Sequence, residues 1–515
     1  MLCAFTGLQV RSAEAPLIAA GLGESLMQRA AHGLYAVAVR MLTGNRGGVY
    51  GRSAVILAGS GNNGADALYA GARMAARGMA VLAIDVAGKA HPEGLAALAR
   101  SGGQTIRLTV GNTGELAAVC AGADLLVDGI LGTGAAGGLR EPAAGLISAV
   151  VHQFGPERKP RRPLVIACDL PSGVDVDTGL VHGPVLPADA TVTFAAAKAG
   201  LLCGAGALAA GRLYVVDIGV QLTESPAVRR LEPADVAALL RRPRATDHKY
   251  TRGVLGIAAG SAQYPGAAVL ATGAALAVGV GMVRYLGPNT VAALIRAAHP
   301  EVVCSQGGVA ENRSQAWVVG PGAVDDQDQD SRARAAIASG LPVVVDAGAL
   351  TELPATAGAQ VILTPHAGEL SDLLRQRGTH ASREEIEANP ARYAQLAARL
   401  TGATVLLKGH TTLVSAPTGE LFSQANGTSW LATAGSGDTL AGILGALAAT
   451  LAEDDDAARR AGVPAQALWA AVAAAAVLLH GQAGQRAARC GPLLVSSLPG
   501  HVRAVLADLL AEPPP

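Results

Sequence analysis

A glycine-rich segment near the end of the chain, Ala434 to Gly442, has the residue types best suited to phosphate chemistry. Its glycines leave backbone N–H groups free to approach an anion, and the apolar run after Asp438 predicts a helix. Because a helix N-terminus favours negative charge, the segment predicts a phosphate site. A carboxylate beside a phosphate suits a group that takes a proton from a hydroxyl, so Asp438 is a candidate general base. The alternative is a glycine-rich turn between two core elements.

Other glycine-rich and polar loops follow the apolar strands predicted in the second half of the chain. Open α/β sheets bind ligands beyond the carboxyl ends of their strands, where these loops would lie. The loops occupy residues 260–267, 320–322, 346–348, 364–369, 408–412 and 435–438. An isolated histidine or lysine is more often structural or solvated. His366 among proline and glycine, and Lys408 before glycine and threonines, favour a ligand site instead.

Four of these motifs, at residues 264–267, 364–369, 408–412 and 435–438, resemble the ADP-dependent NAD(P)H-hydrate dehydratase family. The resemblance runs from about His248 to the end of the chain and implies a ribokinase-like fold. It implies that the hydrated nicotinamide nucleotide is bound by Ala267, Gly322, His366 and Asp438. It implies that the adenine nucleotide is bound by Lys408, Gly409, His410, Thr411, Thr412 and Gly437. ADP with a magnesium ion is the implied phosphoryl donor.

The implied substrate is a reduced nicotinamide ring that has added water at carbon 6. Hydroxide leaves poorly and phosphate leaves well, so phosphorylation of the added hydroxyl group permits its elimination. Asp438 would take the hydroxyl proton, and backbone N–H groups of 435–437 would stabilise the transferring phosphoryl group. The ring nitrogen would then expel phosphate. The rival is a ribokinase-type small-molecule kinase with a stable phosphorylated product and a non-catalytic, nucleotide-binding N-terminal domain.

The first half of the chain has a glycine-rich turn, Gly59 to Asp66, between a predicted strand and a predicted helix. Asp128 and Asp169 each follow a further predicted strand, and Asp175 comes shortly after. We expect these three carboxylate-bearing loops to converge on one crevice. Any one aspartate is more often a cap of a turn, but three loops with glycine neighbours favour a site.

These segments resemble the NAD(P)H-hydrate epimerase family, a Rossmann-like group that binds potassium, over roughly residues 13–220. The resemblance implies that the hydrate is bound by Asn62, Asn63, Gly64, Ala65, Asp66, Gly132, Thr133, Gly134, Ala135, Ala136, Gly137, Gly138 and Asp169. It implies that a potassium ion is held by Asn63, Asp128 and Ser172. Oxygen ligands of this kind suit a hard cation.

An acid/base carboxylate is expected to assist loss and re-addition of the group at carbon 6, and the sequence leaves Asp128 and Asp169 as candidates. Ala65 and Ala67 replace two glycines of the family pattern, and their methyl groups are expected to crowd the approach of a phosphate. The rival for this half is therefore a module that only binds a nucleotide. A fused epimerase would let a dehydratase that accepts the S hydrate recover both epimers, which predicts a bifunctional NAD(P)H-hydrate repair enzyme.

The elements that must position these residues alternate between apolar strands and helices. Strands are predicted at residues 53–58, 80–84, 125–127, 164–168, 190–194, 212–216, 253–257, 317–319, 342–345, 361–363 and 404–407. Residues 13–42 are predicted to be helical with a break near 21–23, and the acidic residues 324–331 are predicted as a loop. Continuous apolar strands that alternate with helices indicate parallel sheets covered on both faces.

A change of composition at residues 222–244, rich in Glu, Arg and Pro, predicts a junction with a short helical segment at 233–240. The predicted fold class is α/β throughout. An N-terminal Rossmann-like three-layer domain occupies residues 1–222, a linker follows at 223–244, and a C-terminal ribokinase-like α/β domain occupies 245–515.

The 515 residues contain 40 Lys and Arg against 40 Asp and Glu, so no basic field exists to recruit nucleic acid or an anionic membrane. No signal peptide is evident, and the apolar segments 439–452 and 465–479 fall short of the roughly 20 residues that span a bilayer. We predict buried helices there. Six scattered cysteines predict free thiols in a reducing cytoplasm. We expect a cytoplasmic homo-oligomer whose small-molecule partners are NADH-hydrate, NADPH-hydrate and ADP.

Overall fold

The structure is a computed structural model that describes residues 1–134, 137–155, 162–324, 326–489 and 491–511. The chain divides into two compact units, one of Cys3–Ala227 and the other of Met1–Leu2 with Val228–Pro515. Each unit is an α/β structure built on a largely parallel sheet, so the predicted fold class is confirmed.

The first unit contains all six strands predicted for its part of the sequence. Its strands are β1 (Leu2–Phe5), β2 (Ser53–Ala58), β3 (Ala80–Asp85), β4 (Gln104–Arg107), β5 (Leu125–Gly129), β6 (Leu164–Cys168), β7 (Ala190–Phe194), β8 (Ala197–Lys198) and β9 (Arg212–Val216). Its helices are α1 (Gly7–Ala19), α2 (Gly23–Arg46), α3 (Asn62–Ala76), α4 (Pro92–Arg100), α5 (Thr113–Gly122), α6 (Ala143–Phe154) and α7 (Gly204–Ala210). The predicted helix break lies between α1 and α2.

Parallel pairing in the order β4-β3-β2-β5-β6-β7-β9 brings the strand ends of the first unit to one edge. Leu57, Asp128 and Ala167 are in register across β2, β5 and β6. Nearly every residue of these strands is buried, because helices cover both faces of a parallel sheet. The loops that follow β2, β5, β6 and β7 therefore meet at the carboxyl edge.

The second unit has its strands in the order β13-β12-β11-β14-β15-β16-β17-β18-β19-β10, with β18 antiparallel to both neighbours. These strands are β10 (Val228–Arg230), β11 (Val254–Ala258), β12 (Met282–Leu286), β13 (Val303–Cys304), β14 (Ala316–Val319), β15 (Val343–Val345), β16 (Val361–Leu363), β17 (Thr404–Leu407), β18 (Thr412–Ser415) and β19 (Leu421–Gln424). The helices are α8 (Pro233–Leu239), α9 (Pro265–Val278), α10 (Asn289–Ala298), α11 (Gln327–Ala338), α12 (Ala367–Gln376), α13 (Arg383–Ala388), α14 (Pro390–Thr401), α15 (Ser436–Leu451), α16 (Ala457–Arg460), α17 (Leu468–Ala488) and α18 (Leu498–Ala511).

The acidic segment 324–331 is not a loop as predicted, because most of it belongs to α11. The side chain of Asp326 accepts hydrogen bonds from the N–H groups of Asp328 and Gln329 and so caps the helix. Acidic residues are favoured in the first turn of a helix, where the dipole is positive. The acidic residues that suggested a loop therefore form the N-terminal end of a helix.

The segment 223–244, predicted as a linker, contains β10 and α8. Arg229 of β10 pairs with Phe422 of β19, and Val236 and Leu239 of α8 are buried in the core of the second unit. With Leu231, which is also buried in that core, these apolar residues anchor the segment, although its overall composition is charged.

The long apolar helix α17 is mostly buried, as predicted, although it extends beyond the predicted residues 465–479 to Ala488. Within the described part of the chain, the helical segment 465–488 alone is long and apolar enough to cross a membrane. Of its most apolar stretch of 18 residues, 83% lies buried in the structure. Helix α15 packs closely on α9, since a Cβ atom at Gly442 would lie 2.1 Å from the carbonyl oxygen of Ala271. A side chain at residue 442, in the second turn of α15, would therefore push the two helices apart.

The cysteines follow the prediction as far as the structure describes them. Cys3, Cys120, Cys168 and Cys304 are free thiols. Cys203 is buried, and Cys490 lies outside the described residues.

Candidate functional site

A cavity of about 970 Å³ lies in the first unit, where the loops after β2, β5, β6 and β7 meet. The predicted hydrate-binding residues that line it are Asn62, Asn63, Asp66, Gly132, Thr133, Gly134 and Asp169. Ala135 and Ala136 lie outside the described residues. The convergence of the three predicted loops on one crevice is therefore observed. Two of them line it with Asp66 and Asp169, and the loop that follows Asp128 lines it with residues 130–134.

Other predicted hydrate-binding residues, Gly64, Ala65, Gly137 and Gly138, are not among those that line the cavity. A Cβ atom at Gly64 would lie 2.1 Å from the carbonyl oxygen of Gly59, so this glycine lets α3 pack against the preceding turn. A Cβ atom at Gly138 would lie 2.3 Å from the carbonyl oxygen of His182. Close backbone packing accounts for both glycines.

The methyl groups of Ala65 and Ala67 do not crowd the cavity as expected. Both residues are fully buried, and neither lines the cavity. The Ala67 methyl lies 2.6 Å from the position of a Cβ atom built on Gly129, so it packs against β5. Both methyl groups are therefore enclosed by the protein, that of Ala67 against the sheet.

Asp169 lines the cavity and pairs with a buried lysine that sequence reasoning missed. Lys198 is 1% exposed and donates hydrogen bonds to the Asp169 carboxylate, to Thr193 Oγ1 at 2.9 Å and to the Phe194 carbonyl at 2.9 Å. Thr193 Oγ1 also donates to Asp169 Oδ1 at 3.0 Å. The sequence could have indicated this ion pair, because Lys198 ends the apolar run 194–198. A lysine in such a run is expected to have an acidic partner, since lysine is rarely buried without one.

Asp128 is not among the residues that line the cavity. It is 1% exposed, and its carboxylate accepts hydrogen bonds from Ser172 Oγ at 2.6 Å and from the Ser172 N–H at 2.8 Å. Burial raises the pKa of Asp128, while the hydrogen bonds from Ser172 oppose that effect. Of the two predicted acid/base candidates, Asp169 alone reaches the cavity wall.

The predicted potassium ligands lie around the backbone of Leu131. Its N–H donates to Ser172 Oγ at 2.9 Å, and its carbonyl accepts from Asn63 Nδ2 at 2.7 Å. The Oδ1 atom of Asn63 is buried and has no hydrogen-bond partner in the described part of the chain. An unused amide oxygen, a hydroxyl and the Asp128 carboxylate form a set of oxygen donors that fits a hard cation. No group of three or more His, Cys, Asp or Glu side chains suited to a metal occurs among the described residues.

Asp175 caps a turn, which is the most common role of an aspartate in a loop. Its Oδ1 atom accepts hydrogen bonds from Thr178 N at 2.8 Å, Thr178 Oγ1 at 2.6 Å and Asp177 N at 3.2 Å. Burial would raise the pKa of Asp175, but these hydrogen bonds hold it below its ordinary value. The residue is not among those that line the cavity.

In the second unit, the glycine-rich segment opens α15, as predicted. Gly435 occupies the N-cap with φ 88°, a left-handed conformation that favours glycine, and Asp438 is in the first turn. The helix begins at Ser436, two residues earlier than Asp438. The Ser436 N–H donates to the Thr433 carbonyl. A helix leaves the next N–H groups, those of Gly437 and Asp438, without intrahelical partners.

A buried histidine supports the first turn of α15. His480 Nε2 lies 3.3 Å from Ser436 Oγ. Burial lowers the pKa of His480 to about 4, so the ring is neutral at physiological pH. The histidine holds the turn without adding positive charge beside Asp438. Nothing in the local sequence of α17 indicates this contact.

Lys408 lies beside the same helix terminus. A Cβ atom built on Gly437 would lie 3.7 Å from Lys408 Nζ, which also donates to Asp346 Oδ1 at 2.9 Å and lies 3.7 Å from Glu369 Oε2. Burial alone would lower the pKa of Lys408, but Asp346 and Glu369 raise it, so the lysine stays charged. No role was predicted for Asp346 or Glu369, although both follow predicted strands within the loops singled out by sequence.

The carboxyl group of Asp438 is destabilised in its ionised form. Burial and the nearby charge of Asp346 raise its pKa to about 6, and Lys408 opposes them in part. A carboxylate with such a pKa is ionised at neutral pH and is a stronger base than an exposed aspartate. The environment therefore suits proton abstraction.

The remaining predicted residues of the second unit lie on the same edge of the sheet. A Cβ atom at Gly322 would lie 2.6 Å from the Ala267 methyl, so these two loops touch. His366 pairs with Lys408 through a parallel bridge between their backbones. Its Nδ1 atom accepts from the Glu369 N–H at 3.1 Å and caps α12, while the ring is 60% exposed. Thr411 Oγ1 is buried without a hydrogen-bond partner in the described ranges.

Comparison with known proteins identifies both halves. The family described as NAD(P)H-hydrate dehydratase matches residues 255–496, and the family described as YjeF-related protein N-terminus matches residues 23–200. The chain is similar to the bifunctional NAD(P)H-hydrate repair enzyme Nnr of Mycobacterium leprae, with 40% identity over 97% of this chain and 98% of that protein.

Further relatives include the enzyme of the same name from Mycobacterium tuberculosis, which is 42% identical over 86% of this chain and 88% of its own length. The NAD(P)H-hydrate epimerase of Clavibacter michiganensis is 42% identical over 44% of this chain and 94% of its own length. Among solved structures, the ADP/ATP-dependent NAD(P)H-hydrate dehydratase of Bacillus subtilis aligns with 28% identity and a TM-score of 0.46 over 54% of this chain and 97% of that one.

The resemblances inferred from the motifs are confirmed by these relatives. Identity of 40% along nearly the whole length exceeds what a shared fold alone would produce. The chain therefore belongs to the family of bifunctional NAD(P)H-hydrate repair enzymes.

Proposed function

We propose that the first unit interconverts the R and S hydrates of NADH and NADPH at ring carbon 6, and that the second unit dehydrates the S hydrate with ADP. The observation that carries this proposal is that each unit has its own carboxylate at the carboxyl edge of a parallel sheet. Asp169 faces the cavity of the first unit beside Lys198. Asp438 lies in the first turn of α15 beside Lys408 in the second.

In the dehydratase reaction, Asp438 takes the proton of the hydroxyl group on ring carbon 6. The hydroxyl oxygen bonds to the β-phosphorus of ADP as the bond between the two phosphates breaks and AMP leaves. The ring nitrogen then supplies the electron pair that breaks the C6–O bond, and phosphate departs. Loss of a proton from carbon 5 restores the reduced ring. The charge of Lys408 and the N–H groups of Gly437 and Asp438 stabilise the transferring phosphoryl group.

The remaining binding roles follow the family resemblance. Ala267, Gly322 and His366 contact the hydrate. The adenine nucleotide is bound by Lys408, Gly409, His410, Thr411, Thr412 and Gly437. The contact between Ala267 and Gly322, and the bridge between His366 and Lys408, support a common site.

Two cations complete the proposal. Asn63, Asp128 and Ser172 hold potassium, which would supply positive charge near the nucleotide phosphates; the unused Oδ1 atom of Asn63 supports this site. Magnesium accompanies ADP, because phosphoryl transfer requires neutralisation of the phosphate charge.

We expect the full-length protein to return a mixture of both epimers of NADH-hydrate completely to NADH when ADP, magnesium and potassium are present. The reaction is followed by the absorbance of the reduced nicotinamide ring. Omission of potassium is expected to slow conversion of the R epimer and to leave that of the S epimer unchanged. A plateau at the share of one epimer would contradict the epimerase, and accumulation of a stable phosphorylated product would support the kinase alternative.

Dehydration of the S epimer is expected to slow as the pH falls through about 6, the value to which its surroundings raise the pKa of Asp438. Only the ionised carboxylate accepts the hydroxyl proton, so protonation on the acid side removes the base. The measurement is kcat/KM for the purified S epimer at saturating ADP. A rate that declines only near the ordinary aspartate pKa of about 4 would contradict this role.

A further inference from the structure

Asp66 lies on α3 and lines the cavity of the first unit, where the family resemblance implies only that it binds the hydrate. The residue is 8% exposed, and its Oδ1 atom is buried without a hydrogen-bond partner within the described ranges. Gly61, not Asp66, occupies the N-cap of α3. The protein thus places an acidic group in the cavity wall and leaves one of its oxygens unused.

The charge on Asp66 is poorly compensated, unlike that on Asp169. Asp169 forms an ion pair with Lys198, whereas Asp66 forms none among the described residues. Burial, Asp169 and Glu14 raise the pKa of Asp66 well above its ordinary value, and Lys198 opposes them only in part. Because a buried carboxylate without a partner is costly, the neutral acid is favoured.

The titratable groups around Asp66 explain this imbalance. Glu14 of α1 and Asp169 after β6 are acidic, and Cys168 at the end of β6 is a buried thiol whose pKa burial raises. Lys198 is the basic group that acts on Asp66, and its hydrogen bonds go to Asp169, Thr193 and Phe194. Three carboxyl groups line the cavity, those of Glu14, Asp66 and Asp169, and among the described residues only Asp169 has the lysine as a direct partner.

We propose that Asp66 is the general acid of the epimerase cavity and that Asp169, held by Lys198, is its general base. This inference rests on the proposed epimerase function and assigns the two carboxyl groups different tasks. Pairs of carboxyl groups whose environments differ in this way divide acid and base roles in enzymes. Lys198 is a positioning residue, since it acts through Asp169.

The proposed step begins when Asp66 donates its proton to the hydroxyl oxygen on ring carbon 6. The C6–O bond breaks, water leaves, and the lone pair of the ring nitrogen forms a C=N bond. Water then adds to the opposite face of carbon 6, the electron pair returns to nitrogen, and Asp169 takes the surplus proton. One proton has moved from Asp66 to Asp169, and exchange with solvent restores both groups.

The test measures conversion of R to S NADH-hydrate by full-length Asp66→Asn, with the enzyme-free rate subtracted. We expect kcat for epimerisation to fall by about 100-fold or more, because the amide has no proton of comparable acidity. Dehydration of the S epimer by the same molecules should be unchanged and shows that the chain is folded. Asp66→Glu should recover part of the lost rate, since it restores the carboxyl group.

The matched control is Asp85→Asn, the same change at the end of β3 in the same sheet, where Asp85 accepts hydrogen bonds from Ala87 and Lys89 outside the cavity. It should epimerise at the wild-type rate. A wild-type kcat in Asp66→Asn, or a raised KM with unchanged kcat, would overturn the proposal and leave Asp66 a binding residue. Absence of epimerisation in the wild-type chain would instead refute the proposed function itself.

Discussion

Asp438→Asn is expected to reduce the turnover of the S hydrate by about 100- to 10,000-fold while ADP binding changes little. The amide fills the same space in the first turn of α15 but cannot take the hydroxyl proton. Lys408 and the helix N-terminus, which bind the nucleotide in our proposal, are untouched. Single-epimer turnover and calorimetric titration with ADP measure the two quantities separately.

The same variant is expected to be more stable than the wild type at neutral pH. The pKa of Asp438 is raised to about 6 in the folded protein from an ordinary 3.8, so folding becomes less favourable as pH rises between these values. Removal of the charge should raise the free energy of unfolding by roughly 1–3 kcal/mol at neutral pH. The variant should therefore have a higher Tm than the wild type at neutral pH, and the two Tm values should converge in acid.

The control is Asp372→Asn, an exposed aspartate of α12 that pairs with Arg375. It should change neither turnover nor Tm appreciably, because exposed ion pairs contribute little. Full turnover in Asp438→Asn would exclude the general-base role. Loss of turnover together with loss of ADP binding would assign Asp438 to nucleotide binding instead.

Lys198→Met is expected to destabilise the first unit by about 3–5 kcal/mol and to abolish epimerisation. The substitution leaves the Asp169 carboxylate, which is 7% exposed, without the cation that compensates it. Amide hydrogen exchange in urea, followed peptide by peptide, reports on the two units of one chain. Peptides of the first unit should lose their protection at lower urea, and peptides of the second unit should lose it at the wild-type concentration.

The double variant Asp169→Asn with Lys198→Met separates the two effects. With neither charge buried, most of the lost stability should return, because replacement of both members of a buried pair is far less costly than removal of one. Epimerisation should stay absent, since the base is gone. Lys89→Met, at an exposed lysine of the same unit, is the control and should behave as wild type. A stable, active Lys198→Met would refute the pairing.

Local patterns were sufficient to predict the strand ends and the loops that follow them. The runs at 53–58, 164–168 and 404–407 are strands in the structure, and the glycine-rich segment before Asp438 opens a helix. Apolar runs and glycine spacing reflect interactions within a few residues, so they can be recognised without the fold. The acidic start of α11 misled because loops and helix N-termini share the same polar residues.

The ionic partners of the sites became evident only in the folded chain. Lys198 and Asp169 are 29 positions apart, and Lys408 and Asp346 are 62 apart. Their contacts depend on which parallel strands are neighbours, and sequence periodicity does not specify that order. The different positions of Asp128 and Asp169 also depend on the fold, since Asp169 lines the cavity and Asp128 does not.

Residue type and spacing therefore predicted two sets of glycine-rich loops with carboxylates at strand ends. The same motifs predicted that the chain belongs to a family of nicotinamide-hydrate repair enzymes. Tertiary structure decides the protonation and direction of each group. It buries the methyl groups of Ala65 and Ala67, leaves Asp66 without an ionic partner among the residues that the structure describes, and raises the pKa of Asp438. These properties depend on burial and on charges brought together from distant parts of the chain, and neither exists until the sheet has formed.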